Sequence, residues 1–175
     1  MPQLQTERLT LTPFTRELVH AALHDKAELA RLLGASVPDA WPGSDFAEVL
    51  PWLAHQLTSD PSAAEWNGLI IQRADRLVIG DMGLKGQPDA RGTVEIGYSI
   101  IPAYRGQGYA PEMARALVAW ALHQPDIQRV TAECLAHNLA SIRVLEKVGM
   151  QRTGTAHGLL YWELSRAQAS ENEHL

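Results

Sequence analysis

The sequence predicts a mixed α/β fold, and three observations carry that expectation. Short runs of β-branched and aromatic residues recur along the chain, apolar residues at helical spacing lie between them, and over residues 93–121 a strand pattern, a glycine loop and a helix pattern follow without interruption. At 175 residues the chain is near the size of a single domain and long enough to bury a substantial core, with no repeat and no linker-like stretch. One domain over residues 1–175 is therefore expected, ending in a polar, mobile tail over 168–175.

Residues 7–12 alternate as a strand does, and Thr15 is placed to cap a helix carrying Leu18, Val19, Ala22 and Leu23 on one face. Leu29, Leu32 and Leu33 continue helical spacing up to Gly34. Residues 35–43 are rich in turn formers and read as a loop, after which Asp45 and Glu48 suggest a capped helix broken or bent near Pro51. Residues 66–73 and 77–85 read as two strands joined at 74–76, and 87–92 as a turn into a strand over 93–101 that Pro102 closes. Met113, Leu117, Trp120 and Ala121 share one helical face. Residues 129–135 read as a strand, 138–149 as a helix capped by Asn138 and ended by Gly149, and 151–155 and 159–164 as closing strands.

Composition removes several classes of function. No apolar run approaches the roughly 20 residues that cross a bilayer, and Met1-Pro2-Gln3-Leu4 lacks a basic-then-apolar signal, so a cytoplasmic protein without a membrane partner is expected. Cys134 is alone and suits a reducing compartment, in a buried apolar role rather than as a nucleophile. A net charge of −5 and a pI of 5.8 argue against nucleic-acid binding and tolerate a cationic substrate. His20 and His24 have metal-ligand spacing, but no Glu follows His20 and no third ligand is evident, so a solvated helix face is the better reading and no metal is expected. The five tryptophans read as core and groove lining, and Trp41, in a Pro/Gly-rich loop, is placed to wall a substrate pocket.

The most informative stretch is Tyr104-Arg105-Gly106-Gln107-Gly108-Tyr109-Ala110-Pro111-Glu112. Gly106 and Gly108 allow a tight turn and close approach of an anion to the main chain, and Pro111 suits the first turn of a helix, where its missing N–H is no loss. The unpaired N–H groups and positive dipole end of that helix face whatever the loop holds, which points to a phosphorylated cofactor. A P-loop would need Lys-Ser or Lys-Thr after its last glycine, and a dinucleotide fingerprint a third spaced glycine with a later acidic residue. Neither pattern is clear here, and a glycine turn merely joining strand to helix is the alternative.

Arg105-x-x-Gly108-x-Ala110 resembles the pyrophosphate loop, Arg/Gln-x-x-Gly-x-Gly/Ala, of the GNAT superfamily of acetyl-CoA-dependent N-acetyltransferases. Asn138-x-x-Ser141-x-x-x-Leu145-Glu146-Lys147-x-Gly149-Met150 looks like that family's second cofactor-side motif. The opening Thr6-Glu7-Arg8-Leu9-Thr10-Leu11 is similar to the first strand of the branch containing the ribosomal-protein-alanine N-acetyltransferases. The resemblance implies a central, mostly antiparallel twisted sheet of about six to seven strands flanked by helices. It also implies acetyl transfer from acetyl-CoA to a primary amine, with the acceptor a protein N-terminus or a small molecule and the protein a monomer or homodimer.

Three tasks then need residues: holding the cofactor, deprotonating the amine and stabilising the thiolate. Main-chain N–H groups of Arg105, Gly106, Gln107, Gly108, Tyr109 and Ala110 are expected to hold the pyrophosphate, and, as in the family, backbone of Tyr98, Ser99, Ile100 and Ile101 to pair with the pantetheine arm. Glu95, in an apolar strand beside the loop, is the leading candidate base, against a solvent-facing or ion-paired role; Asp81 is the second, and a water chain the third. Ser141 stands where relatives carry a serine near the cofactor sulfur, and Asn138 beside it is a candidate cofactor contact; the alternative for both is capping of their own helix. A non-catalytic acetyl-CoA sensor with the same fold is the rival reading of the whole chain.

Overall fold

The computed structural model describes residues 1–60 and 66–172. Eight strands make one open sheet in the order β1-β2-β3-β4-β5-β6-β8-β7. They are β1 (Leu4–Gln5), β2 (Leu9–Pro13), β3 (Asn67–Gln72), β4 (Leu77–Leu84), β5 (Thr93–Ile100), β6 (Arg129–Leu135), β7 (Gln151–Ala156) and β8 (Leu159–Ser165). The helices are α1 (Arg16–His24), α2 (Lys26–Leu33), α3 (Ser44–Ser59), α4 (Tyr109–Leu122), α5 (Leu139–Val148) and α6 (Arg166–Asn172). β5–β6 is parallel, whereas β1–β2, β2–β3, β3–β4, β6–β8 and β7–β8 are antiparallel. The sheet exceeds the expected six to seven strands by β1, whose two residues are too few for any period to register.

Contacts divide the chain into two compact units, Met1–Gly83 with Tyr98–Tyr109, and Leu84–Gly97 with Ala110–Leu175. In the first, Leu9 and Leu11 of β2, Phe14, Leu29 of α2, Leu53 of α3 and Leu69 of β3 are buried. The Thr15 hydroxyl caps α1 by accepting from Leu18 N at 3.2 Å. Asp25 ends α1 and starts α2, its carboxylate accepting from Ala27 N and Glu28 N at 3.0 Å each. α3 runs through Pro51 where a break or bend was expected. A helix-interior proline costs about 3 kcal/mol, whereas Phe46, Leu50, Leu53 and Leu57 are all buried on one face, at roughly 1.5–3 kcal/mol each. Burial outweighs the lost hydrogen bond.

The loop over 35–43 is anchored at several points. Ser36 bridges to Leu77, and Lys26 Nζ donates to the carbonyls of Trp41 at 2.6 Å, Asp39 at 3.4 Å and Pro38 at 3.5 Å. Trp41 itself is 0% exposed and packs against Phe46, with ring centroids 6.1 Å apart. It is therefore core, not the wall of an open groove.

In the second unit, Val130, Ala132 and Cys134 of β6 lie opposite Leu164, Trp162 and Leu160 of β8, all buried. α4 buries Met113, Ala114, Leu117, Val118, Ala121 and Leu122; Trp120, expected on that face, is only half-buried because the stripe is centred on the Ala114–Val118 side. The Arg166 guanidinium hydrogen-bonds to the carbonyls of Leu122, Gln124 and Ile127. Residues up to Asn172 of the expected tail are helical, with Gln168 bonded to Ser165 and Gln151; residues 173–175 lie outside the described ones.

Candidate active site

After β5 the chain makes a 3-10 turn over Pro102–Tyr104 and a glycine turn before α4. Gly106 and Gly108 have φ of 74° and 81°, the left-handed region that disfavours a side chain. A Cβ on Gly106 would meet nothing within 4 Å, so it is backbone conformation rather than crowding that calls for glycine. The N–H groups of Gly106, Gln107 and Gly108 donate to no protein acceptor among the described residues. Main-chain donors in that state, leading into a 14-residue helix, suit an anion.

Two guanidinium groups brace the loop. Arg105 Nε donates to Ile100 O at 2.7 Å, tying the loop to the end of β5. Arg8, just before β2, donates from Nη1 to Gln107 O at 3.1 Å and lies 4.4 Å over the Tyr109 ring. Arg8 belongs to the opening motif, yet nothing in its spacing announces a contact 99 positions away. The donor set and the two cations together fit the pyrophosphate of coenzyme A.

At the preceding strand end, the β5–β6 register covers Thr93–Glu95 and stops. Tyr98, Ser99, Ile100 and Ile101 lie beyond that register, and of their backbone Ile100 O accepts from Arg105 Nε. On the other side Ile101 N donates to Ile79 O at 2.9 Å. A register shift between Ile70 and Ile71 of β3 leaves Ile79 as the extra residue of a bulge on β4. Gly80 follows, and a Cβ on it would stand 2.0 Å from Ser99 O. Only glycine lets the two strands approach this closely.

That approach places Ser99 against Asp81. Ser99 Oγ donates to Asp81 Oδ2 at 2.7 Å, and Trp41 Nε1 donates to the same oxygen at 3.0 Å. Asp81 is 4% exposed, and burial pushes its carboxyl up to about 6 from 3.8, against the pull of the two hydrogen bonds and with help from Asp45. Loop, strand end and Asp81 all belong to the first unit.

Glu95, Asn138 and Ser141 belong to the second. Glu95 is paired with Lys85 Nζ, which also lies 3.8 Å from Glu133. Asn138 Oδ1 caps α5 by accepting from Ser141 N at 3.1 Å, so Asn138 has the capping role considered for it. Ser141 is half-buried in the first turn of that helix. A cavity of about 480 Å³ in this unit, lined by residues such as Val118, Leu122, Leu164 and Arg166, contains none of the expected site residues.

The family model described as "Acetyltransferase (GNAT) domain" matches residues 8–151. The uncharacterized N-acetyltransferase YjdG of Bacillus subtilis is 34% identical over 150 residues, covering 85% of this chain and 89% of its own. Two solved structures share the fold at low identity. The ribosomal-protein-S5-alanine acetyltransferase of Vibrio fischeri has a TM-score of 0.66 at 15% identity, over 95% of this chain and 97% of that one. RimL, the ribosomal L7/L12 α-N-protein acetyltransferase in complex with coenzyme A, has a TM-score of 0.63 at 16% identity, over 94% and 98%. The family match and the YjdG match both extend over most of the chain, which belongs to the GNAT family and is an acyltransferase.

Proposed function

We propose that the chain works as a single domain and transfers an acetyl group from acetyl-CoA to a primary amine directly, in a ternary complex. The observation that carries this reading is the set of unpaired N–H groups at Gly106, Gln107 and Gly108, braced by Arg8 and Arg105. Acetyl-CoA, when bound, supplies an acyl group activated as a thioester. The N–H groups of Gly106, Gln107, Gly108, Tyr109 and Ala110 hold its pyrophosphate, whereas the Arg105 N–H, expected among them, already donates to Pro102 O at 3.2 Å; backbone of Tyr98, Ser99, Ile100 and Ile101 orients its arm. Asn138 orders the first turn of α5, from which Ser141 gives a proton to the departing thiolate.

For the amine's proton, the two carboxylates differ. Glu95 is ion-paired with Lys85, whereas Asp81 is buried with a pKa of about 6, ionised at neutral pH yet a better base than an ordinary carboxylate. Asp81 is the proton acceptor of this reading and Glu95 the alternative. The acceptor is an amine on a protein N-terminus or a small molecule, and a monomeric or homodimeric cytoplasmic enzyme that needs neither metal nor nucleic acid completes the reading. No helix among the described residues is long and apolar enough to cross a membrane. Thiol release from acetyl-CoA, followed against a panel of primary amines and N-terminal peptides, tests it. CoA binding without turnover on any amine would make the chain a sensor instead.

A further inference from the structure

Asp81 accepts two hydrogen bonds, and both fall on one oxygen. Ser99 Oγ and Trp41 Nε1 reach Oδ2 from opposite sides of the sequence, 18 and 40 positions away, and neither uses Oδ1. Two sealed polar side-chain atoms without a partner occur among the described residues, Arg129 Nε and Trp162 Nε1. Asp81 Oδ1 is not one of them, and neither hydrogen bond that Asp81 accepts uses it, although the residue is almost wholly buried.

Trp41 is itself held rigidly. Its ring is sealed against Phe46, its carbonyl accepts from Lys26 Nζ at 2.6 Å, and the loop bearing it bridges to β4 through Ser36 and Leu77. A donor so fixed at χ angles and backbone is a poor gap-filler and a good ruler. An indole N–H can only donate, so it favours the ionised carboxylate without competing for its proton.

We propose that Trp41 is a positioning residue, which together with Ser99 fixes Oδ2 of Asp81 so that Oδ1 is the oxygen turned to the acceptor amine. The proposal rests on Asp81 being the proton acceptor. In the transfer step the amine nitrogen forms the new N–C bond, the C–S bond breaks with its electron pair leaving on sulfur, and one N–H proton passes to Oδ1 and then to solvent. Because both donors stabilise the charged form, removing either raises the pH at which Asp81 ionises. The charged group acting on Asp81 is Asp45 in the first turn of α3, which shifts it in the same direction as burial. Leu69, the register partner of Asp81 on β3, carries no charge, while Lys26 and Asp39 lie on the 35–43 anchorage.

The test uses the whole chain with tryptophan labelled by ¹⁵N at the indole. In the parent, one indole resonance, identified by its loss in Trp41→Phe, should titrate with a midpoint near 6, and its titration should vanish in Asp81→Asn. In parallel, Trp41→Phe and Ser99→Ala should move the acid limb of kcat/KM upward by about one pH unit each, the size implied by losing a hydrogen bond to a charged group. At pH 9 much of the lost rate should return. An indole resonance that is flat from pH 4.5 to 8, or an acid limb unmoved in Ser99→Ala, overturns the positioning role. Should Trp41→Phe fail to fold, the parent titration and Ser99→Ala still decide. If Asp81→Asn keeps the parent's rate and acid limb, the base reading fails instead, whatever the indole does.

Discussion

Replacing Asp81 by Asn should stabilise the protein while removing its activity. The fold raises this carboxyl from 3.8 to about 6, so it favours the neutral form. A raised acid contributes stability that is complete below about 3.8 and is lost as pH rises through about 6. A shift of roughly two units, at 1.36 kcal/mol each, makes the charged carboxylate cost about 3 kcal/mol at pH 8. Asn keeps an oxygen for Trp41 Nε1 and Ser99 Oγ, and its amide takes the place of Oδ1, which neither donor uses. For a chain of this length, 1 kcal/mol moves Tm by about 2–4 °C, so Tm at pH 8 should rise by several degrees, with about 12 °C as the ceiling. Scanning fluorimetry from pH 4 to 8 checks this: the difference between variant and parent should be near zero at pH 4, grow between 4 and 7 and then level. A constant difference, or a variant that loses ground above pH 6, refutes the reasoning that burial, with help from Asp45, holds this pKa up. Turnover should fall by roughly 10²-fold or more, as for loss of a general base.

Gly108→Glu should leave the chain folded, with about 1–2 kcal/mol of backbone strain at φ 81°, but weaken CoA binding more than tenfold by calorimetry, since a carboxylate would stand where the pyrophosphate is held. Gly80→Ala should cost at least about 3 kcal/mol in urea unfolding, because its Cβ meets Ser99 backbone at 2.0 Å and neither strand can yield. Ser141→Ala should lower kcat more than it raises the Kd for acetyl-CoA; a loss that merely tracks Tm would leave Ser141 in the helix and out of the chemistry. Glu95→Gln, which breaks a partly exposed ion pair with Lys85, should change stability by at most about 1 kcal/mol and leave the acid limb where it is. A roughly 10²-fold fall in turnover with that limb displaced would return the base to Glu95.

How much of this was legible in the sequence depends on the range of the interaction concerned. Thr15, Gly34, Asn138 and Gly149 act within a few residues of themselves, and their caps were readable because capping is a property of one helix end. The glycine loop was readable for the same reason: its φ values and outward N–H groups are fixed by six consecutive residues. Pro51 and Trp41 misled because each was judged by its neighbours in the chain while burial decided its fate. Asp81 ranked second because an aspartate inside an apolar run shows nothing of its partners; Trp41 and Ser99 come to it from 40 and 18 positions away. The faint local sign was Gly80 beside it. A glycine within an otherwise apolar strand leaves room for another backbone, and here that room brings Ser99 onto the carboxylate. Glu95 stands in an apolar strand that shows nothing of its ion-pair partner Lys85, ten positions earlier. Asp81 carries no such partner among the described residues, and burial, with Asp45 beside it, raises its proton affinity.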